Sequence, residues 1–384
     1  MALEIFKSCI DCIMRFLYWM CMIFPIKKNK IFVNCFDGGG WGDNPKYIIK
    51  EVLSILPQTD VVWLYKGSDD CEIDGIRYVK KLTLKALYHQ ATSRVWISTV
   101  RMPYYSIKRK NQVYIQTWHS GYGVKKIEKS CEKALPARYI RRAKHDSKMI
   151  DYYVSQCRDM SQVYLRDFWY SGGEIMEIGI PRNDIFFDIK KVNFKSNSIK
   201  KELGVLGKNI ALYAPTFRVD DSTEAYSIDF DKAAAALKER FGGEWVFAVR
   251  FHPNIAEKAN RFVEYGEKII NVSRISDAQE LLCCVDFLIT DYSSIVFDYM
   301  TLERPAALYA TDINDYINDR DFHIRLEDTP FEIARNNKEL VEIIKDFNCE
   351  EYKEKVRAFE KKYGSFDTGC ASEKVAQLIK EIIQ

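Results

Sequence analysis

The sequence has little net charge, few histidines and no regular spacing of its cysteines. It carries 57 Lys plus Arg against 54 Asp plus Glu, a net charge of +3, which excludes a chain-wide attraction for polyanions. Its 11 cysteines are scattered, so a secreted disulfide framework is excluded and reduced cytoplasmic thiols are expected. The HExxH and GxSxG motifs and any metal-spaced cluster of His, Cys and carboxylates are missing. With five histidines in 384 residues, each one that follows a strand becomes a candidate for chemistry.

A long apolar run is also missing. Residues 16–26 form an uncharged stretch of eleven residues, whereas a membrane-spanning helix needs about 20. The acidic Glu4 and Asp11, together with the lack of a small-residue cleavage site, argue against a signal peptide. A buried core helix stays open as an alternative. The aromatic residues and the lysines that follow favour an amphipathic membrane-contacting helix over residues 1–29, with Trp19 at the interface.

The rest of the sequence alternates β-rich runs with helical segments. Tyr152–Ser155 and Phe287–Thr290 are typical predicted strands, and Phe230–Phe241 is a typical predicted helix. This alternation predicts an α/β fold, in which parallel sheets are covered by helices and ligands bind at the carboxyl ends of the strands.

A polar stretch rich in Lys, Asn and Ser, Ile189–Lys200, separates this pattern into two halves. Each half is long enough for one Rossmann-like sheet, so we predict two Rossmann-like domains that face each other across a cleft. The predicted domains are residues 30–190 and residues 200–384.

Two histidines follow predicted strands, one in each half. His119 comes directly after Gln116–Trp118 and precedes a glycine turn, and His252 is followed by Pro253, which stops its strand. The near-neutral pKa of histidine suits general acid or base catalysis, so both are predicted to be catalytic. Hydrogen-bonded loop histidines are the alternative. The other three lack such context and are predicted to be structural: His89, His145 and His323.

Residues 289–298 lead an apolar strand through Asp-Tyr-Ser-Ser into a predicted helix, Ile295–Leu302. The free N–H groups at a helix start, with the hydroxyls of Ser293 and Ser294, suit phosphate binding, and plain capping of the helix is the equal alternative. Arg182 lies in a Gly-Ile-Pro-Arg-Asn-Asp turn and is predicted to be exposed beside the cleft. The predicted substrate-binding residues are Arg182, Thr216, Arg218, Arg250, Asp291, Ser293, Ser294, Asp298 and Arg320.

Residues 125–148 carry nine Lys or Arg against three acidic residues, a local charge of +6. Apolar residues are interleaved, which favours a basic amphipathic segment for an anionic membrane surface or an anionic acceptor. A solvated helix face is the alternative, and nucleic acid is disfavoured because no signature of a nucleic-acid-binding fold accompanies the charge. The predicted contact residues are Lys125, Lys126, Arg138, Arg141 and Arg142.

Together these motifs resemble the CDP-glycerol glycerophosphotransferase family of teichoic acid and capsule-polymer synthesis. The resemblance covers roughly residues 30 to 375, and Asp43–Lys46 matches an early Asp-Asn-Pro of the family. One departure is Ser120, which stands where the family has a glycine directly after the first histidine, so the loop on the acceptor side is altered. The ordered family motifs are Trp118–His119, Gly179–Asp184, Tyr213–Arg218, Arg250–Pro253 and Ile289–Tyr299.

The resemblance implies a GT-B-like architecture, with an acceptor-side first domain and a second domain that binds a CDP-alditol donor. His119 would deprotonate the acceptor hydroxyl, whose oxygen would attack the β-phosphate of CDP-glycerol with release of CMP. His252, Arg218 and the helix start at Ser293 and Ser294 would neutralise the diphosphate, so no divalent metal and no cofactor is expected.

The same resemblance implies a lipid-linked glycan or polyol-phosphate acceptor and a peripheral position on the cytoplasmic face of the cell membrane. Asp291 and Asp298 would hold hydroxyls of the ligand or orient the loop. Three alternatives stay open: a CDP-ribitol donor, a GT-B glycosyltransferase that uses a sugar nucleotide, and a non-catalytic membrane-bound module that binds an anionic polymer.

Overall fold

The computed structural model describes residues 2–67, 73–216, 227–251, 263, 265–313 and 323–384, with side chains from Ile10 onward. The chain divides into two compact units. Unit 1 comprises residues 1–121, 127–184 and 365–384, and unit 2 comprises residues 122–126 and 185–364.

Strands and helices alternate along most of the chain. The strands are β1 (Lys27–Asn34), β2 (Asp60–Tyr65), β3 (Ile76–Lys80), β4 (Ser93–Ser98), β5 (Val113–Gln116), β6 (Tyr152–Ser155), β7 (Glu174–Glu177), β8 (Asn209–Ala214), β9 (Trp245–Val249), β10 (Ile269–Asn271), β11 (Phe287–Thr290), β12 (Ala306–Tyr309) and β13 (Glu332–Ala334). The α-helices are α1 (Ala2–Cys21), α2 (Asp43–Ile55), α3 (Leu84–Thr92), α4 (Ala137–Ser147), α5 (Arg158–Asp167), α6 (Ile189–Glu202), α7 (Phe230–Phe241), α8 (Ala278–Leu282), α9 (Ile295–Tyr299), α10 (Asn337–Asp346), α11 (Cys349–Tyr363) and α12 (Ala371–Ile383).

Each unit is built on one parallel sheet, which confirms the predicted α/β fold class. The sheet of unit 1 has the strand order β3-β2-β1-β4-β5-β6-β7, and the sheet of unit 2 has the order β10-β9-β8-β11-β12-β13. In both sheets the strand order reverses beside the first strand of the unit, β1 or β8, as in Rossmann folds. Ligands bind at such reversals, so the loops after β1 and β4, and after β8 and β11, are the places to look for a site.

The core of unit 1 is made by strands that are apolar on both faces, as parallel strands are. Ile31 of β1 pairs with Val61 of β2 and with Val95 of β4, and all three are buried. Helix α2 adds Ile48, and α12 adds Ile379 to the same cluster. Burial of each such side chain contributes about 1.5–3 kcal/mol.

The boundary between the units differs from the one predicted at Ile189–Lys200. That stretch forms helix α6, whose first N–H groups, those of Lys190 and Lys191, donate to the Asp188 carboxylate at 3.0 and 3.1 Å. Residues 365–384, which the sequence assigned to the second domain, belong to unit 1 because the apolar face of α12 packs in its core.

Helix α1 packs on unit 1 through Tyr18, which is fully buried, and through Arg15, whose Nη1 donates to the Tyr104 carbonyl at 2.8 Å. Within the described residues, no helix has both the length and the hydropathy to cross a bilayer. Several apolar side chains of α1 and the turn after it are nevertheless exposed: Ile13, Phe16, Trp19, Met20, Ile23 and Phe24.

Candidate active site

His119 lies just beyond the carboxyl end of β5, as the sequence predicts. The side chain of Gln116 shapes this turn, because its Oε1 accepts from Trp118 N at 2.9 Å and its Nε2 donates to the Val100 carbonyl at 3.1 Å. Trp118 has a φ of +50°, a left-handed conformation that costs energy for a large side chain. Strain of this kind is common at functional sites, where the surrounding contacts hold it in place.

The Nδ1 atom of His119 lies 2.8 Å from the carbonyl oxygen of Thr99, in the loop after β4. A carbonyl only accepts, so Nδ1 carries the proton and, in the neutral ring, the lone pair lies on Nε2. The ring also packs against Trp118, with centroids 4.4 Å apart, and against Phe36, at 5.6 Å. His119 therefore sits at the reversal point of the first sheet with its Nε2 as the basic atom.

Burial lowers the pKa of the His119 imidazole below its ordinary 6.5, against the opposing effects of the Thr99 carbonyl and the Asp43 carboxylate. The ring is thus neutral at pH 7. A neutral imidazole with Nδ1 fixed as donor has the protonation state that a general base requires.

The start of α2 fastens the His119 turn to the turn that contains Arg182. Asn44 Nδ2 donates to the carbonyls of Trp118, at 3.2 Å, and Thr117, at 3.4 Å, while its Oδ1 accepts from Arg182 N at 3.1 Å. Arg182 Nη1 pairs with Asp43 Oδ1 at 3.1 Å, and the arginine side chain is only 3% exposed. The prediction that Arg182 is exposed is wrong, because its charge is neutralised inside unit 1 by Asp43.

A buried ionic cluster lies beneath the same turn. The Arg101 guanidinium pairs with Glu128 at 2.8 Å and with Asp146 at 3.2 Å, and all three side chains are 2% exposed or less. It also lies 5.8 Å from the centre of the Trp118 ring. No local pattern in the sequence marks Arg101, Glu128 and Asp146 as functional residues, because they meet across separations of 27 and 45 positions.

Gly121 is required by the space beside this loop. A Cβ atom built at this position would lie 1.4 Å from Gln156 Oε1. The amide of Gln156 cannot turn away freely, because its Nε2 donates to the Asp367 carboxylate at 2.5 Å. The glycine therefore lets the chain that leaves His119 pass close to Gln156.

In unit 2, Thr216 and Asp291 meet at the reversal point of the second sheet. The Asp291 carboxylate accepts from Thr216 N at 2.9 Å, from Thr216 Oγ1 at 2.5 Å and from Tyr292 N at 2.6 Å. Asp298 is also buried and accepts from Gln279 Nε2 at 3.0 Å. Asp291 thus joins the loops after β8 and β11, whereas Asp298 joins α9 to α8. Direct contact of either carboxylate with a ligand hydroxyl stays a prediction.

Three other predicted residues of unit 2 are described by the structure: Ser293, Ser294 and Arg250. Ser293 Oγ accepts from Ile295 N at 3.4 Å, and Ser294 is exposed. The helix predicted at Ile295–Leu302 is α9 followed by a 3-10 turn, so its α-helical part has five residues. Arg250 Nη1 donates to the Ile275 carbonyl at 2.5 Å, which holds the guanidinium at the end of β9.

Three predicted site residues lie outside the described residues: His252, Arg218 and Arg320. Of the remaining histidines, His145 Nε2 lies 2.7 Å from the Ser106 carbonyl, and His89 Nδ1 lies 3.4 Å from Lys30 Nζ. Over the described ranges, no group of three His, Cys, Asp or Glu side chains is placed to share a metal ion.

The predicted membrane-contact arginines of α4 make contacts within unit 1. Arg138 pairs with Asp11 of α1 at 2.8 Å, and Arg142 Nε donates to the Met102 carbonyl at 2.9 Å. Arg141 is exposed and lies over the Tyr104 ring at 4.9 Å. Lys125 and Lys126 are half-buried in unit 2, and Trp19 is 59% exposed.

The chain is similar to proteins of teichoic acid synthesis over nearly all its length. Residues 16–381 match the model of the CDP-Glycerol:Poly(glycerophosphate) glycerophosphotransferase family. A teichoic acid poly(glycerol phosphate) polymerase of Staphylococcus epidermidis is 31% identical over 373 residues, which cover 94% of this chain and 51% of the relative. A teichoic acid glycerol-phosphate transferase of Staphylococcus aureus is 30% identical over 368 residues, covering 92% of this chain and 93% of the relative.

Two further matches extend this similarity. A teichoic acid poly(ribitol-phosphate) polymerase of Bacillus spizizenii is 30% identical over 377 residues, covering 95% of this chain and 58% of the relative. A solved structure of a variant of the wall teichoic acid polymerase TagF soaked with CDPG has a TM-score of 0.85 and 28% identity, and covers 100% of this chain and 97% of that one. The chain thus spans about half the length of the S. epidermidis polymerase and nearly all of the S. aureus transferase.

Proposed function

This chain belongs to the CDP-glycerol:poly(glycerophosphate) glycerophosphotransferase family, and on that premise we propose that it transfers glycerol phosphate from CDP-glycerol. The acceptor is a hydroxyl of a membrane-linked glycan or polyol phosphate, and CMP is released. The observation that carries this proposal is His119, a neutral histidine at the end of β5 whose Nδ1 is fixed by the Thr99 carbonyl.

In the proposed reaction, Nε2 of His119 takes the proton of the acceptor hydroxyl as its oxygen attacks the β-phosphate of CDP-glycerol. A new P–O bond to the acceptor forms, the bond between the β-phosphorus and the bridging oxygen breaks, and CMP leaves with the electron pair. The proton then passes from His119 to solvent.

The charge that builds up on the diphosphate needs cations or hydrogen-bond donors. From the family motifs we assign this role to His252, Arg218 and the Ser293–Ser294 segment, with Arg250 supporting it. Such groups replace the charge of a divalent ion, so the proposal includes no metal and no cofactor. Thr216 and Asp291 keep the donor-side loops in register, which is consistent with catalysis that depends on positioning.

Peripheral attachment to the cytoplasmic face of the cell membrane is part of the proposal. Phe16 is 60% exposed, Trp19 59% and Ile23 78%. Contiguous exposed apolar side chains mark contact surfaces, and Trp and Phe suit the interfacial region of a bilayer. The exposed Arg141 supplies positive charge for anionic lipids.

A ribitol-phosphate donor is the second candidate. The chain is 30% identical to a protein named as a poly(ribitol-phosphate) polymerase and 31% identical to one named as a poly(glycerol phosphate) polymerase. These nearly equal identities support ribitol phosphate as a second candidate for the transferred group. Both donors carry the alditol on the same cytidine diphosphate group, so the proposed mechanism is unchanged.

The test is release of CMP from CDP-glycerol in the presence of a lipid-linked disaccharide acceptor. We expect release that requires the acceptor and is lost in His119→Ala and in His252→Ala. His145→Gln is the matched control, because the amide of Gln still donates to the Ser106 carbonyl. Release of CMP from CDP-ribitol but not from CDP-glycerol would identify CDP-ribitol as the donor. No release with either CDP-alditol, or release unaffected by both alanine variants, would overturn the proposal.

A further inference from the structure

Unit 1 contains a cavity of about 500 Å³ at the carboxyl edge of its sheet. Asp37 follows β1, Lys81 and Leu82 follow β3, and Tyr104 follows β4, and all four line the cavity. Its remaining wall comes from α1, from α4 with the residue before it, and from the neighbours of Tyr104 in the loop after β4. A cavity at the reversal point of a parallel sheet is where α/β proteins bind their ligands.

Four of the five charged groups that line this cavity form two ion pairs, and the fifth donates to the backbone. Lys81 Nζ donates to Asp37 Oδ2, and Arg138 pairs with Asp11 at 2.8 Å, while Arg142 donates to a backbone carbonyl. The wall thus offers both donors and acceptors without a strong excess of either charge. Hydroxyl groups donate and accept at once, so a polyhydroxylated ligand fits this lining better than a free anion.

One wall of the cavity leads to the proposed base. Phe36, whose ring packs against His119 at 5.6 Å, immediately precedes Asp37. Phe36 and Asp37 have φ angles of +44° and +59°, and Leu82 on the facing loop has +62°. The chain holds three non-glycine residues in a costly conformation at this point, which is typical of backbone that presents a site.

The opposite wall leads to the apolar helix. Ile10 and Met14 of α1 line the cavity, and the neighbouring Ile13 and Phe16 are 59% and 60% exposed. A ligand with a polyhydroxylated head and a lipid tail therefore meets a matching surface at each end.

From this arrangement we propose that the cavity binds the sugar or polyol part of the membrane-linked acceptor and directs its hydroxyl toward His119. The lipid lies along the exposed side chains of α1. This inference rests on the proposed transferase function, and it assigns to Asp37, Lys81 and Leu82 the recognition of the acceptor.

The test separates acceptor recognition from donor recognition by steady-state kinetics. Lys81→Gln removes the positive charge of one hydrogen-bond donor in the cavity wall. Leu82→Trp makes the cavity narrower, and because Leu82 is exposed the change does not disturb the core. We expect each variant to raise the KM for the acceptor about tenfold, with the KM for CDP-glycerol unchanged. Lys238→Gln is the matched control, since Lys238 forms an exposed ion pair with Glu244 in unit 2.

A binding experiment covers variants that lose activity. The probe is the acceptor disaccharide on a short alkyl chain, titrated into His119→Ala with and without Lys81→Gln. We expect about tenfold weaker binding in the double variant. Equal affinity of the single and double variants for the probe would overturn the inference. So would complete displacement of the probe by an alkyl phosphate that carries no sugar. Wild-type protein that releases no CMP refutes the transferase proposal instead, whereas active enzyme with an unchanged acceptor KM refutes only the cavity.

Discussion

At the scale of single residues, the site around His119 is held by contacts that come from distant parts of the chain. The sequence predicted His119 because a histidine before a glycine turn is a local signal. It did not predict the positions of Asn44 and Arg182, whose hydrogen bond joins residues 138 positions apart. The Asp-Asn-Pro likeness marked Asp43–Lys46 as a family motif without its role. Local sequence patterns thus identify candidate catalytic residues, whereas the tertiary contacts that position them cannot be read from such patterns.

The lowered pKa of His119 predicts the acid limb of the reaction. The imidazole must be neutral to act as a base, and its pKa lies below 6.5. We therefore expect kcat/KM for CMP release, which reports the pKa values of the free enzyme, to stay level as the pH falls from about 8 to about 6.5, and to decline only below that. The check is a pH profile of kcat/KM with both substrates below their KM. An inflection above pH 6.5 would contradict the assignment of His119 as the base.

The same shift has a consequence for stability. Between the two pKa values the unfolded chain binds more protons at this histidine than the folded chain does, so acid favours unfolding. His119 should make the free energy of unfolding fall as the pH drops below about 6.5, and the slope should weaken in His119→Gln.

The buried cluster beneath the turn predicts a large loss of stability. Arg101→Met leaves the carboxylates of Glu128 and Asp146 without their cation in the interior. We expect a loss of about 3–5 kcal/mol in the free energy of unfolding, measured by urea denaturation. Arg77→Met breaks a pair with Asp60 whose arginine is 54% exposed, and should cost about 0–1 kcal/mol. Similar losses in both variants would contradict a structural role of the cluster.

At the scale of elements, the apolar segments were predictable and the polar ones were not. The strands Tyr152–Ser155 and Phe287–Thr290 and the helix Phe230–Phe241 were predicted with the bounds that the structure gives them. Helix α4 was recognised only as a charged segment, because the residues it buries are Ala143, Asp146 and Ser147, which show no apolar periodicity. Helix α6 was predicted as a polar stretch between the domains, because it buries only Val192 and Ile199.

Helix α12 gives a prediction at this scale. Ile379 is fully buried in the core of unit 1, and the Asp184 carboxylate accepts from the N–H groups of Ala371 and Ser372 at 3.0 and 2.6 Å. Ile379→Ala should destabilise unit 1 by about 2–5 kcal/mol because it leaves a cavity. Glu381→Ala, at an exposed position of the same helix, should change stability by less than about 0.5 kcal/mol. Thermal unfolding of the two variants side by side provides the measurement.

At the scale of the whole molecule, the proposal of peripheral attachment predicts how the protein partitions onto vesicles. Trp19→Ala should lower binding to vesicles that contain anionic lipid about tenfold or more, because a buried aromatic side chain contributes about 1.5–3 kcal/mol. Salt should weaken binding only in part, since it screens the charges and leaves the apolar contact. Phe194→Ala, which removes a phenylalanine that is 70% exposed on α6, is the matched control. Sedimentation with vesicles measures both, and equal losses would contradict the assignment to α1.

The return of residues 365–384 to unit 1 has a consequence for how the chain folds as it is made. Strand β1 and helix α2 leave the ribosome early, yet the helix that completes their core follows some 320 residues later, after all of unit 2. Closing so long a loop is slow, and nascent chains fold one unit at a time. Unit 2, apart from residues 122–126, is continuous in sequence and can finish first. During synthesis the first sheet therefore keeps an apolar face uncovered, and this is the surface that a chaperone would need to protect.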